Sequence, residues 1–138
     1  MTIQNPITAL LTYLKADAGV SALAATRVFG AENPWDEAGS QPRYAVVVWP
    51  SGGRPEHYVP LQPVRVDIEC YGATQFQGMT LYLAVYEAMK NAARENVSDT
   101  LIHTATQSGG PLTNRSPDTH WPYTWSSWLV RIGEETTA

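Results

Sequence analysis

A strand followed at once by a long helix, within residues 63–96, constrains the fold of this chain most tightly. In residues 64–71 apolar and charged side chains alternate, which is the period of a strand with one buried face. Thr74 and Gln77 have the spacing of a helix-capping box, so a helix should begin there. The apolar residues that follow recur every three or four positions and predict one buried helical stripe. They are Met79, Tyr82, Val85, Tyr86, Met89 and Ala93.

The strand and the helix stripe are expected to cover each other. The apolar side of the strand consists of Val64, Val66, Ile68 and Cys70, and the charged side of Arg65, Asp67 and Glu69. A strand with one apolar face needs a second layer, and the helix stripe supplies it.

The rest of the chain predicts an order of helix, strand, strand, long helix, strand and strand. An amphipathic N-terminal helix should end near Asp17, with a short helical turn and a brief extended piece at 27–29 after it. Residues 44–49, an unbroken run of Val and aromatics, predict a strand covered on both faces. Residues 100–106 and 123–132 predict the last two strands. The apolar face of the N-terminal helix comprises Ile3, Ile7, Leu10, Leu11 and Leu14, with Asn5 as its cap.

These elements predict an α+β two-layer domain. We expect a mostly antiparallel sheet of about four strands, with the long helix and the N-terminal helix packed on one face. The 138 residues suit a single domain, 1–138. Gly and Pro clusters predict three long loops and a short polar tail, which is expected to be mobile. The loops are 31–42, 50–63 and 107–122, and the tail is 134–138.

Composition and charge narrow the possible functions. The net charge is -4 and no basic run occurs, which argues against a protein that grips nucleic-acid phosphates. Cys70 is the single cysteine, so no internal disulfide can form, and an intracellular compartment is expected. Neither a secretory signal nor a run of roughly 20 apolar residues is present, so we expect a soluble protein without a membrane partner.

The sequence contains no residue set that predicts catalysis, a cofactor or a metal. His57, His103 and His120 are far apart and lack the spacing of metal ligands. Asp67 and Glu69 share one strand face, an arrangement that suits acid–base chemistry. Arg65 lies on the same face, however, and a charge-balanced solvent face or a subunit contact is the preferred interpretation.

Aromatic residues are the second candidate for function. Five Trp and seven Tyr suit either a partner surface or the core, and we weigh the two equally. Trp35, Tyr58 and Trp121 fall in predicted loops, and we predict that they contact a neighbouring subunit. Packing within their own chain is the equal alternative for each. The strand at 123–132 has aromatics on both faces and so predicts two contacts, one with the helix layer and one with a loop or a second subunit.

Taken in order, several segments of the chain resemble one known family. They are LLTYLKADAGVSAL at 10–23, RVF at 27–29, PRYAVVV at 42–48, VRVDIECY at 64–71, and then Leu81, Val85 and Met89 in the long helix. Their succession is similar to that of the tail terminator or tail-completion proteins of long-tailed bacteriophages, which are small α+β subunits.

This resemblance implies a structural virion protein and not an enzyme. It implies a homohexameric ring that caps the tail tube, ends its polymerisation and offers a docking surface to the head-side connector. Its partners would be copies of itself, the tail tube protein and the head–tail connector or neck protein, with no cofactor. DNA would pass through the lumen without specific binding, which an acidic protein favours. The ring would be assembled in the host cytoplasm and lie at the head-proximal end of the virion tail.

Three alternatives stay open. The first is a head-side neck or connector adaptor of the same structural class. The second is a small-ligand or peptide-binding module that uses Trp121, Tyr123 and Trp125 as a stacking platform. The third is a hydrolase that uses Asp67, Glu69 or a loop histidine.

Overall fold

Three helices lie on one face of a six-stranded sheet. The computed structural model describes residues 6–24, 27–30, 44–53, 61–92, 95–97, 100–115 and 121–134. The helices are α1 (Pro6–Ala16), α2 (Ala18–Ala24) and α3 (Gln75–Lys90). The strands are β1 (Val28–Gly30), β2 (Ala45–Gly53), β3 (Leu61–Tyr71), β4 (Glu95–Val97), β5 (Thr100–Arg115) and β6 (Pro122–Glu134).

The strands are arranged in the order β1-β2-β3-β6-β5-β4. Every pairing is antiparallel except that of β1 with β2. The predicted α+β class, with helices packed on a mostly antiparallel sheet, is therefore confirmed. The four predicted strands are the four long ones, and two strands of three residues lie at the sheet's ends. Of these two, β1 overlaps the brief extended piece predicted at 27–29, whereas β4 was not predicted, because three residues are too few for a period to be read from the sequence.

The strand–helix unit at the centre forms as predicted. Val66, Ile68 and Cys70 of β3 are fully buried beneath the helices. Thr74 caps α3, because its hydroxyl accepts a hydrogen bond from the Gln77 amide at 3.2 Å. The Gln77 side chain returns to the Ala73 amide at 2.9 Å, one residue before the amide that an ideal capping box would satisfy.

The buried stripe of α3 is broader than predicted. Tyr82, Val85 and Met89 are buried, and Met79 and Tyr86 pack on the same core while partly exposed. Three residues extend the stripe, namely Gly78, Leu81 and Ala88. Gly78 lets the helix approach the sheet closely, since a Cβ at this position would lie 3.1 Å from the Cys70 carbonyl oxygen. Ala93 lies outside the described residues.

The N-terminal helices complete the same layer. Leu10 and Leu14 of α1 are fully buried, as their spacing predicts, whereas Ile3 and Asn5 lie outside the described residues. The Tyr13 hydroxyl donates to the Ala88 carbonyl at 2.6 Å and so ties α1 to α3. Among the described helices, none alone is long and apolar enough to cross a membrane, and α1 and α2 qualify only as a pair bent by 86°.

The predicted loops are partly wrong. Residues 50–53 and 61–63 belong to β2 and β3, and residues 107–115 continue β5. Gly and Pro residues predict a break in the strand, but β5 keeps its pairing with β6 by shifting register at three places. At one of these, Gly110 has a φ of 87°, a conformation that favours glycine, and the Gly110–Pro111 peptide bond is cis. Residues 31–42, 54–60, 116–120 and 135–138 lie outside the described parts of the chain.

Candidate interaction surfaces

The two faces of the sheet carry two separate apolar clusters. One contains the buried side chains of all three helices, together with Ile68, Trp128 and Val130 from the sheet. The other lies on the opposite face, which has no helix on it within the described residues and is called the helix-free face below. Its buried members are Ala45, Val47, Tyr71 and Trp121, and Phe29, Trp49 and Tyr123 pack against them. Residues 45–48 of β2 are therefore buried on both faces, as predicted.

Trp121, one of the three predicted interface aromatics, packs within its own chain. Its ring meets that of Tyr71 edge-on, with centroids 6.1 Å apart and planes inclined by 75°. The ring centroid of Tyr123 lies 5.5 Å from that of Tyr71. Only 4% of the surface of Trp121 is exposed, which leaves little for a neighbouring subunit and favours the self-packing alternative. Trp35 and Tyr58 lie outside the described residues, so their interface role stays a prediction.

Strand β6 contacts the helix layer with one face, as predicted, whereas the aromatics of its other face contact neighbouring strands of the same sheet, and a contact there with a second subunit stays a prediction. On the helix side, Trp128 lies 6.1 Å from the Tyr86 ring and donates its indole N–H to the Ser126 hydroxyl at 2.9 Å. On the helix-free face, the ring of Trp125 lies over Gly109 of β5, where a Cβ would come within 3.3 Å of it. Trp125 is partly exposed, so it fills the hollow left by the glycine and still presents ring surface.

The carboxylates of Asp67 and Glu69 lie side by side on the helix-free face. Burial raises the pKa of Glu69, and the negative charge of Asp67 adds to the rise. Two aromatic neighbours lower the pKa of Glu69 and so offset part of this rise. The Tyr71 hydroxyl donates to Glu69 Oε2 at 3.3 Å, and the indole of Trp49 lies close by, outside hydrogen-bonding geometry. Glu69 is therefore a half-buried carboxyl beside aromatic rings, and it belongs to no cluster of metal ligands in the described residues.

No metal centre is assembled within the described ranges. They contain no group of three or more His, Cys, Asp or Glu side chains that could hold an ion. His57 and His120 lie outside those ranges. The single thiol, Cys70, is fully buried in the helix-side core, and burial raises its pKa, so it remains protonated. Burial also raises the pKa of Tyr82 and of Tyr123.

Three large apolar side chains are exposed in the described part of the chain, and they lie on two surfaces. Phe76 and Leu83, which are 82% and 54% exposed, project from α3 on the side away from the sheet. Leu112 is 60% exposed and lies opposite Trp125 in the β5–β6 pairing, which places it on the helix-free face. Sequence reasoning missed Phe76 and Leu83, although their spacing of seven on the polar side of the helix was a readable signal.

The helix-free face also carries two exposed arginines. Arg65 of β3 lies opposite Leu129 of β6, and Arg131 lies two residues farther along β6 on the same face. Neither guanidinium makes a hydrogen bond or an ion pair within the residues that the structure describes. The chemical character of this face thus changes along the strands. Arginines lie at one end, Asp67 and Glu69 lie in the middle, and a cluster of aromatic rings lies at the other end.

Comparisons with known proteins bear on the fold. No protein-family model matches the chain, and no curated protein matches it. Solved structures do match. One is a chain of the virion of a native gene transfer agent particle, at a TM-score of 0.62 and 16% identity, covering 93% of this chain and 94% of that one. At this identity the likeness shows a shared fold over nearly the whole length of both chains.

Proposed function

We propose that this chain is a structural virion protein that caps the tail tube as a homohexameric ring. The ring ends tube polymerisation and presents a docking surface to the head-side connector, and DNA passes through its lumen. It is assembled in the host cytoplasm and lies at the head-proximal end of the tail. The observation that carries this proposal is the fold shared with a chain of a gene transfer agent virion, at a TM-score of 0.62 over 93% of the length.

Surface properties support a role in assembly. A ring needs heterologous contacts, in which one patch meets a different patch on the next copy. Exposed apolar side chains on opposite sides of the molecule, Leu83 on α3 and Leu112 on β5, supply two such patches. The predicted interface residues Trp35 and Tyr58 are further candidates. The net charge of -4 suits a lumen through which DNA slides without being held.

Capping is tested directly on growing tail tubes. Tail tube subunits are polymerised with and without the purified chain, and tube lengths and tube ends are imaged by negative-stain electron microscopy. We expect shorter tubes with a ring at one end. Tubes of unchanged length with bare ends, at a chain concentration above that of tube ends, would contradict the proposal. A neck adaptor, the alternative within the same class, would instead bind the connector and leave tube length unchanged.

A further inference from the structure

We infer that the sheet of one copy continues into the sheet of the next copy, with the outer edge of β5 paired to the outer edge of β1. This inference rests on the proposed ring and names the contact between its subunits. The outer edge of β5 is the backbone side of residues 112–115 that faces away from β6. The outer edge of β1 is the backbone side of Val28–Gly30 that faces away from β2.

The outer edge of β5 has no strand beside it. β4 pairs only with residues 100–102, and β5 meets no other strand on that side within the described residues. Two backbone groups near this edge bond to side chains of the same strand instead. The Arg115 amide donates to Asn114 Oδ1 at 2.8 Å, and the Gly109 carbonyl accepts from Gln107 Nε2 at 3.1 Å. An unpaired strand edge is a template for a strand of another chain, because its backbone groups need partners.

The same end of β5 is uncovered on both faces. All residues from 110 to 115 are exposed, although the side chains of a strand alternate between the two faces of the sheet. Leu112 is exposed on the helix-free face. Thr113 is exposed on the helix side, although its partner Thr124 on β6 is fully buried there. The helix layer therefore ends over β6 and leaves this part of β5 bare.

The sequence of β5 does little to prevent pairing at this edge. Charged side chains usually protect a free edge, and residues 104–114 contain none. Pro111 and the register shifts, which also disrupt pairing, all lie before Leu112. Residues 112–115 pair with β6 without interruption and form a regular segment that can accept a strand.

The outer edge of β1 offers backbone groups in a defined pattern. The Val46 amide of β2 donates to the Arg27 carbonyl at 2.9 Å. Along a strand the backbone groups of successive residues point to alternate sides. Arg27 and Phe29 therefore face β2, whereas Val28 and Gly30 direct their N–H and C=O groups away from it.

The backbone pattern of β5 matches that of β1. Pro122 has no N–H, so Arg115 and Pro122 cannot exchange two hydrogen bonds, and the Arg115 amide bonds to Asn114 instead. By alternation, Thr113 also directs its backbone groups away from β6. An antiparallel pair of Thr113 with Val28 of the next copy thus joins two residues whose backbone groups both face the junction.

Strand direction and register agree with this pairing. β2, β3, β6 and β5 alternate in direction and β1 is parallel to β2, so β5 runs antiparallel to β1. One row of paired residues crosses the sheet on the helix-free face. It consists of Phe29, Val47, Glu69, Trp125 and Leu112. Continuing this row across the junction sets Leu112 beside Phe29 of the next copy, and Thr113 then lies opposite Val28.

This register also covers the bare side chains of β5. On the helix-free face, Leu112, which is 60% exposed, meets Phe29, a member of the apolar cluster on that face. On the helix side, α1 of the next copy lies over β1, where its Leu11 contacts Gly30, and so stands next to Thr113. The two edges of one sheet are different, so the contact is heterologous and forms a closed ring when the rotation between copies closes.

The charged residues nearest to the junction are two arginines. The Arg27 guanidinium is fixed within its own chain, where it donates to the carbonyls of Tyr44 at 2.7 Å and Leu23 at 3.4 Å. Arg115 is the last residue of β5 and is exposed, so its charge stays in water. Neither charge is buried by the pairing.

The contact is tested by a disulfide across the junction. Leu112 and Phe29 fall in a non-hydrogen-bonded antiparallel pair, whose Cα atoms lie about 4.5 Å apart, within disulfide reach. The double variant Phe29→Cys/Leu112→Cys is oxidised with diamide, alone and with tail tubes, and is analysed by denaturing electrophoresis without reductant. We expect a ladder of covalent oligomers. The native Cys70 is fully buried and does not contribute.

Matched variants control for random collision and for the face of the sheet. Phe29→Cys or Leu112→Cys alone should give no dimer, whereas a mixture of the two should give a dimer and nothing larger. Phe29→Cys/Thr113→Cys, with its second thiol on the other face, should give no ladder. Dimers of Leu112→Cys alone would show that β5 pairs with β5 and would overturn the inference. Absence of a ladder from the folded double variant, with and without tubes, would also overturn it.

A second test leaves Phe29 intact, since its replacement can disturb the cluster in which it packs. Leu112→Lys places a charge on the edge and should abolish assembly, measured by native mass spectrometry with tail tubes. Phe76→Lys, an equal change on the exposed side of α3, should leave assembly unchanged. Assembly of Leu112→Lys, or equal loss in both variants, would overturn the inference. Capped tubes without a ladder contradict the edge pairing alone, and a ladder with uncapped tubes contradicts the proposed function alone.

Discussion

The side chain of Glu69 makes the stability of the folded protein depend on pH. Burial among aromatic rings raises its pKa above the ordinary value of 4.5. Folding therefore favours the protonated carboxyl. The contribution of this group to stability is fully present below the ordinary pKa and is lost as pH rises through the folded-state pKa.

Glu69→Gln is therefore expected to stabilise the protein at neutral pH. The amide carries no charge to bury, and its oxygen can still accept the hydrogen bond from the Tyr71 hydroxyl. Urea unfolding of both proteins at pH 4 and pH 7 measures the effect. The variant should gain stability relative to the native chain at pH 7, and the difference should shrink at pH 4. A variant that is less stable than the native chain at pH 7 would show that the charged form makes a needed contact.

Cys70 should be inert in the folded protein. The thiol is fully buried, and burial raises its pKa, so little of the reactive thiolate forms. We expect negligible labelling by a maleimide in native buffer and complete labelling in denaturant, measured by mass spectrometry. Rapid native labelling would mean that β3 separates readily from the helix layer.

Two leucines on α3, separated by only two positions, have opposite environments. Leu81 is fully buried against the sheet, whereas Leu83 is 54% exposed. Leu81→Ala should cost about 2 to 5 kcal/mol of unfolding free energy, because it leaves a cavity in the core. Leu83→Ala should stay within about 0.5 kcal/mol, as surface substitutions usually do. Chemical denaturation of the isolated chain measures both.

A reversal of these two values would place the other side of α3 against the sheet. In that case the side of α3 that carries Leu83 would face the sheet and would not be exposed. Leu83→Ala therefore also serves as the control that separates folding from assembly.

At the scale of elements, the sequence predicts regular patterns well and irregular ones poorly. The β3–α3 unit could be predicted because its periods and its cap at Thr74 are local signals. The course of β5 through Gly110 and Pro111 could not, because pairing with β6 holds the strand together across its register shifts. That pairing joins residues distant along the chain, and no local pattern records it.

Some features of the candidate surfaces could likewise be predicted from the sequence, and others could not. Both faces of β6 could be read from alternation, and the structure places Trp128 on the helix side and Trp125 on the other. Whether a loop aromatic is exposed could not be read, because Trp121 is buried by contacts with Tyr71 that only the fold brings together. The exposure of Phe76, in contrast, could have been read, because the residue lies on the side of α3 opposite the predicted apolar stripe.

At the scale of the whole molecule, the described residues carry exposed apolar side chains on opposite sides, represented by Leu83 and Leu112. Such an arrangement suits a subunit that works by contact with its neighbours.

Locating the chain in an assembled virion tests this account most directly. Electron cryo-microscopy of the particle, with the chain identified by its density and by a label on its terminus, gives its position and copy number. The account predicts six copies in a closed ring between the tail tube and the head-side connector. A particle that lacks the chain, or that carries it away from the end of the tube, would contradict the account.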